Sequence, residues 1–154
     1  MEARLRSLVL LFWALWLSVV TASNVTNALR VARVLPQGFA FASSNFELVE
    51  TTTAIYHTPR PVVWLLFAGV VCWEAAAAAL FWRAFAAVRR QPAPEPGALS
   101  GALASAFAAG IGLFAAFMVA DELLIAYPLQ GGHMRAFAAL CVSFLVVRPA
   151  APAR

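Results

Sequence analysis

Charged residues are scarce in this chain, and lysine is absent altogether. Only 12% of the 154 residues are charged, whereas 63% are hydrophobic. A soluble globular chain is typically about half apolar and about a quarter charged. Because the chain has few charges and carries several apolar runs of membrane-spanning length, we expect an integral membrane protein.

Cysteine and histidine are also rare, and their spacing does not form a recognisable site. Cys72 and Cys141 both lie within apolar runs without paired spacing, which predicts small buried hydrophobes rather than a disulfide. His57 and His133 lie in predicted loops and lack a ligand spacing such as H-x-x-E-H, so they are weak metal candidates. We therefore expect no metal and no cofactor.

The basic residues, all of them arginine, sit mostly at the ends of apolar runs. The net charge is +4, but this placement is typical of a membrane topology signal rather than of a basic groove for nucleic acid. The expected partners are the lipid bilayer and other membrane protein subunits, and nucleic acid is not among them.

Four apolar segments predict an all-α fold: a four-helix transmembrane bundle, with a single domain over residues 1–154 and a long first extracytoplasmic loop. The predicted helices cover about 7–29, 61–88, 98–127 and 131–148. The first loop could form short strands or an interfacial helix, and we expect it to fold over the extracytoplasmic face. The sequence PAPEP predicts a stiff turn before the third helix, and YPLQGGH predicts a tight reversal before the fourth.

Arginine placement predicts that both termini lie on the cytoplasmic side of a bacterial inner membrane. If all four segments span, one side collects three pairs, namely Arg4 with Arg6, Arg89 with Arg90, and Arg148 with Arg154. Positive charge marks that side as cytoplasmic, although the first loop on the opposite side also carries three arginines. The first segment is also compatible with a cleaved secretory signal, which would leave three spans.

One carboxylate, Glu74, lies in the middle of the second apolar run, about 20 Å from its outer end. At that depth a carboxyl group is protonated, pairs with a donor on another helix, or faces a wet cavity. The alanines that follow it let another helix approach closely. Candidate donors are Asn24, Thr26, Ser105 and Tyr127, of which depth favours Ser105. A structural hydrogen bond and a role in moving a proton, cation or substrate both remain open.

A polar, net acidic cluster is predicted above Glu74, at the outer ends of the first and third helices. Adjacent residues on a helix point about 100° apart, so at most one of Asp121 and Glu122 faces a given cavity. Two interpretations of these acids remain open: a solvated helix end, or an acid–base pair. The functional polar candidates are Glu74, Glu122, Asp121, Asn24, Thr26 and Asn45.

The third segment also carries a stripe of small residues at helical spacing. Such faces let membrane helices approach closely, so the stripe predicts either close packing inside the bundle or docking on another subunit. The stripe consists of Gly101, Ser105, Ala109, Gly112 and Ala116.

The motifs SNVTN, SSNFELV, WEAAAAALF, FMVADELLIAY and MRAF occur in this order along the chain. They resemble the predicted small integral membrane proteins of domain-of-unknown-function family 2165, which are bacterial and have four spans. The resemblance implies a fold and a set of polar positions, and it implies no reaction. The matching polar positions are Glu74, Glu122, Asn24, Thr26, Ser44 and Asn45, whereas Asn27 stands where the family pattern has an aspartate.

Three functions are compatible with these observations. The first is a structural or accessory subunit of a membrane complex, which the smooth helix faces, the small size and the lack of a catalytic motif favour; on this interpretation the chain is not an enzyme. The second is a small transporter or channel component that uses Glu74 and Glu122 along a polar path. The third is a membrane-embedded enzyme acting on a lipid or a quinone, which would need Glu122 and His133 in one cavity.

Overall fold

A computed structural model describes residues 2–90 and 96–148, and it has the all-α fold that the sequence predicts. Four of its helices are long and apolar enough to cross a membrane. Helices suit this environment because they satisfy their own backbone hydrogen bonds within the lipid, and the protein is a multi-pass membrane protein. The elements are α1 (Glu2–Val31), α2 (Asn45–Thr53), a short 3-10 turn (Ala54–Tyr56), α3 (Arg60–Arg89), α4 (Pro96–Leu123) and α5 (Tyr127–Val147).

The four long helices form a closed ring in cross-section. Helix α1 packs against α3 and α5, and α4 packs against the same two helices. The start of α1 meets the end of α5, where the Arg6 Nε donates a 2.7 Å hydrogen bond to the Val147 carbonyl. Arg4 and Arg89 line one groove at this same end. We call it the basic end.

The other end of the bundle, which we call the capped end, is covered by the chain between α1 and α3. Residues 41–56, here named the cap, contain α2, which contacts both α1 and α3. Phe46 is fully buried against Val63 and Phe67. By their spacing, Phe46, Val49 and Thr53 share one face of α2. Of the two structures predicted for the first loop, short strands or an interfacial helix, the loop contains a helix.

The interior between the cap and the basic end is apolar and rich in aromatic rings. Phe81 and Phe107 are fully buried, and their ring centroids lie 5.0 Å apart in an edge-to-face contact. Trp13 lies against Phe81 with a centroid separation of 6.4 Å. Such contacts are favoured aromatic geometries, and they fill the centre of the bundle together with Leu10, Leu17, Leu103, Leu113 and Leu140.

The reversal between α4 and α5 lies earlier than the sequence predicts. Helix α4 ends at Leu123 rather than near residue 127, and α5 begins at Tyr127 rather than near 131. Ile125 takes the left-handed conformation, with φ of 54°, and the chain turns there. Pro128 occupies the first turn of α5, where a missing N–H costs no hydrogen bond. The sequence YPLQGGH therefore begins a helix, and its prediction as the reversal is wrong.

The small-residue stripe of α4 packs inside the bundle in its middle part. The Trp73 indole of α3 donates a 3.1 Å hydrogen bond to the Ala109 carbonyl. A Cβ atom at Gly112 would lie 3.3 Å from the same indole. Gly101 and Ala116, toward the ends of the stripe, are exposed. The prediction of close packing is confirmed for the middle of the stripe.

Two predictions fall outside the described residues, namely the stiff turn that includes residues 91–95 and the placement of Arg154.

The cysteines differ from expectation in one respect. Cys72 is exposed on α3, and Cys141 is partly buried. A lipid-facing side chain is as apolar as a core side chain, so an apolar run does not distinguish the two positions.

Candidate functional site

Polar side chains near the end of α1 face the cap. Asn24 and Asn27 are three residues apart and therefore share one face of the helix. Both are almost completely buried. Because α1 continues to Val31, Asn24 lies about 10 Å inside the helix rather than at its end. Buried amides at such a depth need hydrogen-bond partners, and both asparagines have them.

The partner of Asn24 inside the bundle is Glu74, half-way along α3 and only 4% exposed. The Asn24 Nδ2 donates a 2.8 Å hydrogen bond to the Glu74 Oε2. Ala77 and Ala78, one turn further along α3, are buried against the core and let α1 come close. The interhelical hydrogen bond predicted for Glu74 is therefore confirmed.

The prediction that Ser105 donates to Glu74, which rested on depth, is wrong. The Ser105 hydroxyl donates a 2.9 Å hydrogen bond to the Gly101 carbonyl of its own helix. Serine in a membrane helix commonly bonds the carbonyl four residues earlier in this way. Depth counting favoured Ser105 because it took Asn24 to lie at the mouth of the bundle, whereas α1 extends beyond it.

The side-chain oxygen of Asn24 accepts hydrogen bonds from the cap. Its Oδ1 accepts a 2.7 Å hydrogen bond from the Ser43 hydroxyl and a 2.8 Å hydrogen bond from the Asn45 side-chain amide. An amide oxygen has two lone pairs, and these two donors occupy both. Asn24 therefore connects Glu74 inside the bundle to the segment that begins α2.

Asn27 makes the corresponding connection one turn further along α1. Its Oδ1 accepts a 2.8 Å hydrogen bond from the backbone N–H of Phe46, and its Nδ2 donates a 2.9 Å hydrogen bond to the Glu47 Oε2. The N–H groups in the first turn of a helix have no partner within that helix. Ser44, the residue before α2, makes no side-chain capping bond, and Asn27 supplies one from α1.

Glu47 of the cap is held as a carboxylate by its neighbours. The Arg30 guanidinium lies 3.1 Å from the Glu47 Oε1. Partial burial opposes the charge, but the hydrogen bonds from the Asn27 amide, from the backbone and from the Arg30 guanidinium together hold the pKa of Glu47 below its usual range. A negative charge in the first turn also interacts favourably with the helix dipole of α2.

Two further hydrogen bonds fasten the cap at its edges. The Thr26 hydroxyl donates to the Phe41 carbonyl at the start of the cap. At its other end, the Tyr56 hydroxyl donates a 2.6 Å hydrogen bond to the carbonyl of Leu123, the last residue of α4. The cap is thus anchored to α1 on one side and to α4 on the other.

The two adjacent acids of α4 belong to a second cluster, at the corner between α4 and α5. Asp121 is buried and lies 2.7 Å from the His133 Nδ1. Glu122 is exposed and accepts a 2.6 Å hydrogen bond from Gln130. The acids point to different partners, as helix geometry predicts. The pair that the enzyme hypothesis needed, Glu122 with His133, is not the hydrogen-bonded pair, because His133 bonds to Asp121.

Among the six polar candidates, the structure unites Asn24, Thr26, Asn45 and Glu74 around the cap, and it leaves the two acids of α4 in their own cluster. Within residues 2–90 and 96–148, no group of three or more histidine, cysteine, aspartate or glutamate side chains could hold a metal ion. His57 is exposed at the end of the 3-10 turn. Neither weak metal candidate belongs to such a group.

Sequence reasoning overlooked the contributions of Ser43 and Arg30, and it counted Glu47 only as a member of the acidic cluster. Two features of the sequence could have indicated some of these contacts. The asparagines of α1 recur at a spacing of three, which places them on one helix face. Ser44 and Glu47 also have the S-x-x-E spacing of a capping box, which marks a helix start. Helix α2 does begin there, although the carboxylate bonds α1 instead of the preceding backbone.

The hydrogen-bonded chain from the cap ends at Glu74. Toward the basic end, the buried positions of α1 include Leu17 and Trp13, and those of α3 include Ala77 and Phe81. These side chains are apolar and tightly packed. The arrangement can therefore fix the cap relative to the bundle, and it can hold a carboxyl group in the membrane interior.

Comparison with known proteins gives no match: no family model fits the chain, and no curated protein or solved structure is significantly similar to it. The class of the molecule is defined by its own fold. It is a multi-pass membrane protein, and its described residues contain four helices long and apolar enough to cross a membrane and a short cap helix.

Proposed function

We propose that this protein is a structural or accessory subunit of a larger membrane complex and that the cap is the surface that contacts its partner. The observation that carries the proposal is the direction of the polar network. It runs from Glu74 through Asn24 to Ser43 and Asn45 of the cap. A buried network of this kind fixes one conformation of the surface that it supports.

The apolar interior supports this function over conduction through a single copy of the chain. Phe81, Phe107 and Trp13 fill the bundle between Glu74 and the basic end. An ion or a polar substrate passing there would have to leave water and lie among mainly apolar side chains, which is costly.

The composition of the cap also supports a partner. The cap lies outside the four spans, yet it exposes large apolar side chains. Phe41 is 50% exposed, Ile55 is 49% exposed and Leu48 is 39% exposed. Exposed apolar residues grouped in this way are typical of protein–protein or membrane contact surfaces.

We place the protein in a bacterial inner membrane with both termini in the cytoplasm. The arginines of the basic end support this orientation, because positive charge favours the cytoplasmic side. The bacterial setting rests on the resemblance to domain-of-unknown-function family 2165. The cap then faces the extracytoplasmic side.

Native mass spectrometry of the tagged full-length chain, extracted from its own membrane in mild detergent, tests the proposal. We expect a second polypeptide at fixed stoichiometry. A chain that appears only alone or as a homo-oligomer would contradict an accessory role.

Two variants then test the cap as the contact surface. Leu48→Asp together with Ile55→Asp places charges on the exposed apolar part of the cap, and we expect the partner to be lost. Val34→Asp is the matched control, because Val34 is 69% exposed at the same end of the bundle but lies outside the cap. Equal loss of the partner in both proteins would count against the cap.

A second candidate function is transport that uses Glu74. One observation favours it: the Thr21 hydroxyl, one turn beyond Asn24 toward the basic end, is buried without a hydrogen-bond partner among the described residues. An intramembrane carboxyl group such as Glu74 is a typical feature of proton and ion pathways. Transport requires that Glu74→Gln abolish flux while expression is intact, and unchanged flux would exclude it.

A further inference from the structure

A groove of about 740 Å³ opens at the basic end of the bundle, between α1 and α3. Its polar mouth is formed by Arg4, Ser7 and Arg89, and its apolar wall includes Leu8, Phe85 and Val88. The size lies within the range of small-molecule binding sites. It is separated from the polar network by the apolar core.

The lining residues follow from helix geometry on both sides. Arg4, Ser7 and Leu8 lie at spacings of three and four on α1, and Phe85, Val88 and Arg89 do the same on α3. The two helices are antiparallel, so each contributes an arginine at the end of the bundle and apolar side chains deeper inside. The groove therefore changes from cationic to apolar over about 6–10 Å along the helix axes.

This gradient matches the structure of one class of ligand. The phosphate of a phospholipid lies at the membrane surface and its acyl chains lie below. A guanidinium group binds phosphate through two parallel hydrogen bonds. Basic pockets between membrane helices on the cytoplasmic side are known recognition sites for anionic headgroups. A free phosphate ion would use the arginines but would gain nothing from the apolar wall.

We propose that this groove binds an anionic phospholipid, with its phosphate between Arg4 and Arg89 and an acyl chain along Leu8, Phe85 and Val88. Both arginines are exposed, and neither forms an ion pair within the described part of the chain. The proposal rests on the cytoplasmic orientation proposed above for the basic end but not on the accessory function, because a transporter or an accessory subunit could bind lipid there equally well.

A second groove, at the capped end, provides the comparison. It has a volume of about 560 Å³ and is lined by Arg33 and Arg60, but also by Glu47 and Glu50. The Arg60 Nε lies 3.4 Å from the Glu50 Oε1. Charges of both signs line this groove, so it lacks the uniformly positive mouth that an anionic headgroup requires.

The test is a lipid titration of the purified full-length protein in detergent, with bound lipid counted by native mass spectrometry. The probes are phosphatidylglycerol and phosphatidylcholine with the same acyl chains, and glycerol 3-phosphate as a competitor without chains. We expect binding of phosphatidylglycerol in preference to phosphatidylcholine, and no competition from glycerol 3-phosphate at equal concentration.

The double variant Arg4→Gln with Arg89→Gln should bind phosphatidylglycerol about 30-fold more weakly, or about fivefold for each arginine, as expected for basic groups that interact with an anionic membrane. Its melting temperature should match that of the wild type, because both side chains are exposed. If the double variant does not fold, each single variant tests the same site, with an expected loss of affinity of about fivefold. The control, Arg33→Gln with Arg60→Gln, removes the same charge at the capped end and should bind normally.

Three results would overturn the proposal. The first is equal binding of the two phospholipids, and the second is full competition by glycerol 3-phosphate, which would indicate a site for a free phosphate. The third is an equal loss of affinity in the arginine control, which would indicate nonspecific attraction to the net charge of the protein.

Discussion

Asn24 and Glu74 lie 50 residues apart in the sequence and share a buried 2.8 Å hydrogen bond across the interface of α1 and α3. The same Asn24 side chain accepts hydrogen bonds from two residues at the start of the cap. A contact inside the membrane bundle is therefore coupled directly to a surface outside it. This relationship underlies the proposed role of Glu74 in positioning the cap.

Asn24→Ala should destabilise the protein more than Glu74→Gln does. Alanine removes the donor and leaves Glu74 and both cap donors without a partner, at a cost of about 1–3 kcal/mol. Glutamine retains a side-chain oxygen that can accept the Asn24 hydrogen bond. Thermal unfolding in one detergent measures the difference. A Glu74→Gln protein that is less stable than Asn24→Ala would show that the charge matters more than the hydrogen bond.

Asn27→Asp should loosen the cap without unfolding the four-helix bundle. An ionised aspartate cannot donate to Glu47, and its carboxylate would take the place of the Asn27 amide, which lies 2.9 Å from the Glu47 Oε2. Hydrogen exchange should accelerate over residues 45–53 and stay unchanged in α5. Unchanged exchange over residues 45–53 would contradict the role of the Asn27 side chain in holding the cap.

The contribution of Glu47 to stability should depend on pH. Its pKa is lowered in the folded protein, so ionised Glu47 stabilises the fold above the pKa of the unfolded chain. This contribution is lost as the pH falls from the usual glutamate range, about 4.3, through the lower folded value. The difference in melting temperature between wild type and Glu47→Gln should therefore be present at pH 7 and vanish in acid.

Glu50→Gln is the control for the pH experiment, because it removes an exposed carboxyl group of the same helix whose ion pair is with Arg60 of α3. A wild-type advantage over Glu47→Gln that persists unchanged below the folded pKa would contradict the assignment of the effect to ionised Glu47.

Two glycines of α4 should respond differently to the same substitution. A Cβ atom at Gly110 would lie 3.2 Å from both the Leu140 and Phe81 side chains, whereas one at Gly101 would meet nothing within 4 Å. Gly110→Val should cost about 1–3 kcal/mol through overpacking, and Gly101→Val should be close to neutral. Unfolding in detergent compares the two proteins, and similar stabilities would mean that the core around Phe81 is looser than the distances indicate.

The sequence predicts the spans well because span length and hydropathy are local properties. The start of α3 at Arg60 and its end at Arg89 differ from the predicted helix by one residue at each end. The turn at Ile125 was missed because a β-branched residue rarely adopts the left-handed conformation. Residue type alone therefore gave no indication of the reversal there.

The polar candidates could be predicted as a group, but their pairing could not. A buried carboxyl group needs a partner wherever it lies, so the sequence indicates that Glu74 has one. The identity of that partner depends on the register between α1 and α3, which is set by packing along the whole interface. Trp82 bonding to Ser18 fixes the same register two turns away. No local pattern in either helix encodes that alignment.

The measurement that tests the central claim most directly is the amount of partner protein retained by Asn24→Ala, relative to wild type, in native mass spectrometry of complexes extracted from the same membrane. We predict that retention falls severalfold while the variant keeps its four folded helices, because Ser43 and Asn45 at the start of the cap lose their hydrogen bonds to α1. Full retention of the partner by a folded Asn24→Ala protein would contradict the account.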